Sequence, residues 1–137
     1  MLFYTGNTRS ANEILAEQKS NTKAKLDILH IMRKQADEMK DEIQINGITS
    51  IIGKELHKGW LLKKGLVKNI SNPIIDGAYE RAIESGALGG KVLGAGGGGF
   101  ILLYCDEDKQ DNVRNNILLP EIDFHISQYG SRVIYFE

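Results

Sequence analysis

The chain has a single cysteine, Cys105, among its 137 residues. That excludes an intramolecular disulfide and points to a reducing compartment, the cytoplasm. Three histidines and that cysteine show no ligand-like spacing, which excludes a structural zinc site. His30 and His125 in particular have no partner at metal or triad spacing. No apolar run approaches the ~20 residues that a bilayer-crossing helix needs. A signal-peptide core is missing as well, because the short apolar start Met1–Tyr4 gives way at once to the polar Thr5-Gly6-Asn7-Thr8-Arg9-Ser10. Nor does charge of one sign dominate. Seventeen basic residues stand against 18 acidic ones, a net charge of -1, and such a balance exerts no general pull on nucleic acid or an anionic membrane. What is present, 42% apolar and 26% charged residues, is the composition of one globular domain spanning 1–137.

Periodicity orders the chain. Leu2–Thr5 reads as a short strand ending at Gly6, and a helix follows, with Asn7 or Thr8 as its cap and Ser10 and Glu13 at capping-box spacing. Ala11, Ile14, Leu15 and Gln18 form one face of that helix. Leu26, Leu29, Met32, Ala36, Met39 and Ile43 recur every three or four residues, the apolar stripe of a second helix. Asn46-Gly47 ends it, and a third helix runs from about Ile48 to Lys64, before Gly65. Asn72 followed by Pro73 is a strong start signal for a fourth helix, whose buried face is Ile75, Tyr79, Ala82 and Ile83 and whose stop is Gly86. Strands are expected at Lys91–Gly94 and Phe100–Cys105, then a helix opened by Asp106 or Asp108 and closed before Pro120. Two last strands are expected, one on the alternating Ile122, Phe124 and Ile126, one on Arg132–Phe136. With the four helices counted as an elaborated first crossover, the order is βαββαβ, an α+β fold of ferredoxin-like type.

Glycine is abundant where most else is sparse: seven of the 15 glycines fall between Gly89 and Gly99. Four in a row, Gly96 to Gly99, are a poor choice for stability. A strained strand-to-strand connection is one reading. The functional one is a row of backbone N–H groups, on Gly94, Ala95, Gly96, Gly97, Gly98 and Gly99, that approaches an anion, normally a phosphate. The formal dinucleotide fingerprint Gly94-x-Gly96-x-x-Gly99 fails on context, because the apolar Phe100–Tyr104 that follows is a strand and not a helix. A Walker A loop fails too, since no Gly-Lys-Ser/Thr follows.

Gly89-Gly90-Lys91-Val92-Leu93-Gly94-Ala95-Gly96-Gly97-Gly98-Gly99-Phe100 closely resembles the third, C-terminal motif of the GHMP small-molecule kinases. Ser71–Asp76 and Glu84–Ala87 resemble the same superfamily. Leu2–Ala11 and Leu56–Lys64 look most like its D-glycero-D-manno-heptose 7-phosphate kinases. The resemblance covers nearly the whole chain. It implies the C-terminal domain of an ATP- and Mg2+-dependent sugar kinase acting on the anomeric hydroxyl of a heptose 7-phosphate-type sugar. The ATP loop of Pro-x-x-x-Gly-Leu-Gly-Ser-Ser type, carried by the N-terminal lobe of these kinases, is not in this sequence. That lobe is therefore the expected partner, beside the sugar phosphate and ATP, and the catalytic groups and metal ligands are expected in it. The chain alone is expected to be inactive, and an apolar docking patch favours self-association, as a homodimer. A galactokinase- or mevalonate kinase-like activity is the alternative within the superfamily. A non-catalytic anion-binding or dimerisation module is the alternative outside it.

Further candidates surround the loop. Lys54, Lys58, Lys63, Lys64 and Lys68 stand against one acid, Glu55, between positions 54 and 68. They form either a solvated helix face or a basic wall for a phosphorylated substrate. Lys63 and Lys64, with Trp60, are the substrate-binding candidates, although a tryptophan there also suits a core or lobe-interface anchor. Arg9 resembles the last residue of the family's Thr-Gly-x-x-Arg, and is otherwise an exposed residue near a helix cap. Lys91 either neutralises phosphate beside the loop or flanks a strand. Cys105 ends an apolar strand and reads as an inert buried thiol.

Overall fold

A computed structural model describes residues 1–7, 10–127, 130 and 132–135. The elements follow the expected α+β order: β1 (Leu2–Tyr4), α1 (Ala11–Asn21), α2 (Leu26–Asn46), α3 (Ser50–Lys64), α4 (Pro73–Glu84), β2 (Gly89–Val92), β3 (Phe100–Tyr104) and α5 (Gln110–Ile117). Short 3-10 turns at Lys23–Lys25, Lys68–Ile70 and Glu107–Lys109 join them. The sheet is antiparallel with β3 central, in the order β1-β3-β2, and its register sets Phe3 opposite Ile101 and Gly90 opposite Leu103.

Local chemistry explains the helix ends. The Asn72 side chain accepts from the Ile74 and Ile75 amides at 3.0 and 3.1 Å, and Pro73 takes the first helical position. Gly47 closes α2 at φ +72°. Ser10 occupies the cap position of α1, but its hydroxyl makes no capping bond. Phe3, Ile14, Trp60, Ile70, Ile75, Val92, Ile101, Val113 and Ile117 fill the core between sheet and helices. The stripe of α2 is only half sunk: Leu29 and Met32 lean on this core, whereas Leu26 and Ile43 are 47% and 40% exposed. That helix packs on α3 from outside.

Two expected strands are corrected. Residues beyond 121 form no strand among those described. A single antiparallel bridge, Phe3 to Glu121, takes the edge beside β1, backed by bonds from the Tyr4 amide to the Pro120 carbonyl and from the Ile122 amide to the Leu2 carbonyl. Burial is what the run lacks. The bridge sets Ile122 opposite Leu2, but Phe124 and Ile126 are 42% and 75% exposed, and an alternating run with no buried face is not held as a strand. Of the second run, Arg132–Tyr135 lie outside any strand and Phe136 falls outside the described residues.

β2 also begins earlier than expected, on Gly89 and Gly90. These glycines are packing residues. A methyl group on Gly89 would overlap the Gly53 carbonyl, and one on Gly53 would sit 2.7 Å from Leu88 Cβ. Helix α3 therefore rests directly on β2, backbone against backbone. Gly89→Ala is expected to destabilise the chain by about 3 kcal/mol through overpacking. Gly94→Ala, where a methyl group meets open space but φ is +69°, should lose about 1 kcal/mol. Urea unfolding of the two variants distinguishes these costs.

Candidate functional site

The glycine segment forms a loop from Leu93 to Gly99 between β2 and β3. Gly94, Gly96, Gly97 and Gly99 hold φ of +69°, +105°, +76° and +84°, values that residues with a Cβ rarely adopt. The loop is clasped from two sides. On one, the Gly99 amide donates to the Asn7 carbonyl at 2.7 Å, while the Thr5 amide and hydroxyl both donate to the Gly99 carbonyl at 2.9 and 3.0 Å. On the other, the Gly97 amide donates to the Ile70 carbonyl at 2.8 Å and the Asn72 side-chain amide donates to the Gly97 carbonyl at 3.1 Å. Methyl groups on Gly96 and Gly98 would lie 2.7 and 2.5 Å from the Ile70 and Asn7 carbonyl oxygens.

These bonds divide the expected row of donors. The Gly97 and Gly99 amides are spent inside the protein, whereas the Gly94, Ala95, Gly96 and Gly98 amides have no acceptor among the described residues. Thr5, Asn7 and Asn72 were not singled out as loop residues by sequence reasoning. For Asn72 a signal existed: serine or aspartate would cap α4 as well, but asparagine alone adds an N–H donor for the loop.

Two cations stand at the loop's outer end. Lys63 Nζ donates to the Gly94 carbonyl at 2.5 Å, and Lys91 lines the same groove. Burial, and then the neighbouring Lys91 charge, hold the Lys63 amine below the usual lysine value of 10.5. No carboxylate among the described residues lies within ion-pair distance of either amine. Two like charges with no counter-ion have the electrostatics that an anion would complement.

The remaining candidates divide. Lys64 faces the other way, paired at 2.5 Å with Asp76, which also accepts from the Ser71 hydroxyl at 2.8 Å. It is not part of the loop's charge. Lys58 is held by Glu55 at 2.6 Å, so the basic run of α3 is no continuous wall. Trp60 is a core residue, 1% exposed, with its ring beside that of Tyr79, and presents no platform to a sugar. Tyr79 in turn bonds His57 Nδ1 at 2.9 Å, and burial pushes its hydroxyl up to about 12. Burial also raises the Cys105 thiol, as suits an inert cysteine. Arg9 lies outside the described residues.

Comparison with known proteins gives the family. The family described as "GHMP kinases C terminal" matches residues 31–119. The chain belongs to the GHMP kinase C-terminal family. It is 30% identical over 115 residues to D-glycero-alpha-D-manno-heptose 7-phosphate kinase of Campylobacter jejuni, a match that covers 82% of this chain and 34% of the relative. It is 34% identical over 125 residues to the L-fucokinase/L-fucose-1-P guanylyltransferase of Bacteroides fragilis, covering 88% of this chain and 13% of that protein. The L. major mevalonate kinase, solved in complex with R-mevalonate, shares the fold with a TM-score of 0.70 at 17% identity, over 83% of this chain and 36% of its own. The chain thus spans about a third of the heptose kinase it matches. No helix among the described residues is long and apolar enough to cross a membrane.

The Lys63 shift has a consequence for stability. A lysine whose folded value is lowered destabilises the fold while it is charged, below that value. The penalty is relieved as pH rises through the folded value toward 10.5. Lys63→Met should therefore flatten the alkaline limb of the stability curve, and urea midpoints measured from neutral pH to pH 10.5 test this. Asn72→Asp should keep the α4 cap but release the Gly97 carbonyl, and faster exchange of the Gly97 amide by NMR is the expected reading.

Proposed function

We propose that this chain is the phosphate-loop domain of an ATP-dependent sugar kinase whose acceptor is the anomeric hydroxyl of a heptose 7-phosphate-type sugar. The observation that carries the reading is the loop itself: four unspent amides in a loop flanked by Lys63 and Lys91, on a backbone that internal bonds already hold in place. Such an arrangement suits the charge that spreads over a phosphoryl group in transfer, where positioning and neutralisation matter more than covalent chemistry. The names of both sugar-kinase relatives support the acceptor class, since one acts on a heptose 7-phosphate and the other is named for a sugar phosphorylated at carbon 1.

In the transfer, the bond from the γ-phosphorus to the ADP oxygen breaks and one to the anomeric oxygen forms. The sugar hydroxyl gives up its proton to a base outside this chain. Lys63, Lys91 and the loop amides hold the phosphoryl oxygens. Mg2+, when bound, neutralises nucleotide phosphate charge. Its protein ligands belong, on this reading, to a nucleotide-binding lobe.

The test is complementation. The 137-residue chain should transfer no phosphate alone, and should do so when fused to the nucleotide-binding lobe of the C. jejuni relative, with 31P NMR placing the new phosphate on carbon 1. In the fusion, Lys91→Ala should lower turnover about a hundredfold with the melting temperature nearly unchanged. Transfer to another hydroxyl, or full activity in Lys91→Ala, contradicts the reading.

A further inference from the structure

Gly59 stands in the middle of α3, where a glycine weakens a helix by about 1 kcal/mol relative to alanine. Its φ is not positive and no backbone presses on it. What it faces is a side chain: a methyl group there would lie 3.0 Å from Gln35 Oε1, across the gap between α2 and α3. Glu55, Gly59 and Lys63 follow at four-residue spacing along one side of α3. With no side chain at the centre of that row, a groove of about 160 Å³ opens between the two helices.

The two ends of the groove differ in charge. At one end the Gln35 side-chain amide donates to the Glu55 backbone carbonyl at 2.7 Å and to its carboxylate at 2.9 Å, while Lys58 donates to the other carboxylate oxygen at 2.6 Å. Those two bonds hold the Glu55 carboxyl below its usual value, Lys58 first and Gln35 second, so it is an anionic acceptor at neutral pH. At the other end are Lys63 and Lys91, beside the Gly94 carbonyl. Met32 and Leu56 line the walls between.

We propose that this groove is the sugar pocket of the site, taking the sugar ring with its ring hydroxyls toward Glu55 and its carbon-1 phosphate on Lys63 and Lys91, the carbon-7 phosphate staying outside the groove, away from the Glu55 carboxylate. The inference rests on the kinase reading and adds to it the residues that hold the ring. A ligand that donates hydroxyl protons at one end and carries negative charge at the other matches the polarity, and the apolar walls accept the C–H faces of a ring. The volume is well below the ~300–1,000 Å³ of sites for larger ligands, which favours one sugar ring over a nucleotide. Glu55 and Lys63 are separated by about 12 Å along the helix axis, a span that a sugar phosphate and the two side chains bridge together.

NMR titration of the 15N-labelled chain with α-D-mannose 1-phosphate and, separately, inorganic phosphate tests it. The sugar phosphate should shift the Gln35 side-chain amide and the Gly59 and Gly94 backbone amides. Inorganic phosphate should shift Gly94 and its neighbours alone, with at least tenfold weaker affinity. Glu55→Gln and Gly59→Val should each bring sugar-phosphate affinity down to that of inorganic phosphate, whose own binding stays unchanged. Glu55→Gln, which keeps the shape of the side chain, guards against a folding effect of the valine. If both ligands shift only the loop, and Glu55→Gln changes neither, the pocket is overturned and the phosphate loop stands. If neither ligand shifts Gly94, both readings fall.

Discussion

Helix α3 lies on strand β2 without side chains between them, and the position of the site follows from that contact. Gly53 and Gly89 meet backbone to backbone, the closest approach that two elements can make in a packed core. From there the two run in the same direction. Ten residues of helix carry α3 about 15 Å to Lys63, and five residues of extended chain carry β2 about 16 Å to Gly94. They arrive together, and Lys63 bonds the Gly94 carbonyl. A side chain on either glycine would move the helix off the sheet and the lysine off the loop, so a contact far from the candidate site sets its geometry.

The charge pattern of α3 follows from the same placement. Its lysines are near one another in sequence, yet the helix turns each to a different neighbour. Lys58 goes to Glu55, Lys64 to Asp76 and Lys63 to a backbone carbonyl beside Lys91. Only the last of these leaves charge uncompensated, and it does so beside the loop. Lys63 and Lys91 thus stand close together without a carboxylate partner, where their charge acts on an anion at close range.

Much of this was legible from residue order. The Asn72-Pro73 start, the Gly47 and Gly65 stops and the glycine loop carry local signals strong enough to survive folding. What was not legible depends on partners distant in sequence. Gly89 and Gly90 were left outside the expected strand, because what requires their bareness is distant in sequence: α3, more than thirty residues earlier, for Gly89, and the β3 backbone for Gly90. Trp60 and Lys64 share the basic run with Lys63, and nothing in the spacing says that one enters the core and another meets an acid on α4. Ile122, Phe124 and Ile126 alternate as a strand should, but alternation does not supply a surface to pack on, and Phe124 and Ile126 stay exposed. The site was found through its composition, and its boundaries only through contacts.

The clasp on the glycine loop decides when its disorder is removed. A segment with so many glycines has more conformations to lose than any other of its length, and a free loop of this kind would lose them when a ligand arrived, at the expense of affinity. Here Asn7 and Asn72 hold it before any ligand is present, so the entropy of ordering is charged to folding. The surface the loop presents is then closer to a rigid template than to a flap, so any ligand it takes meets a shape already set by folding.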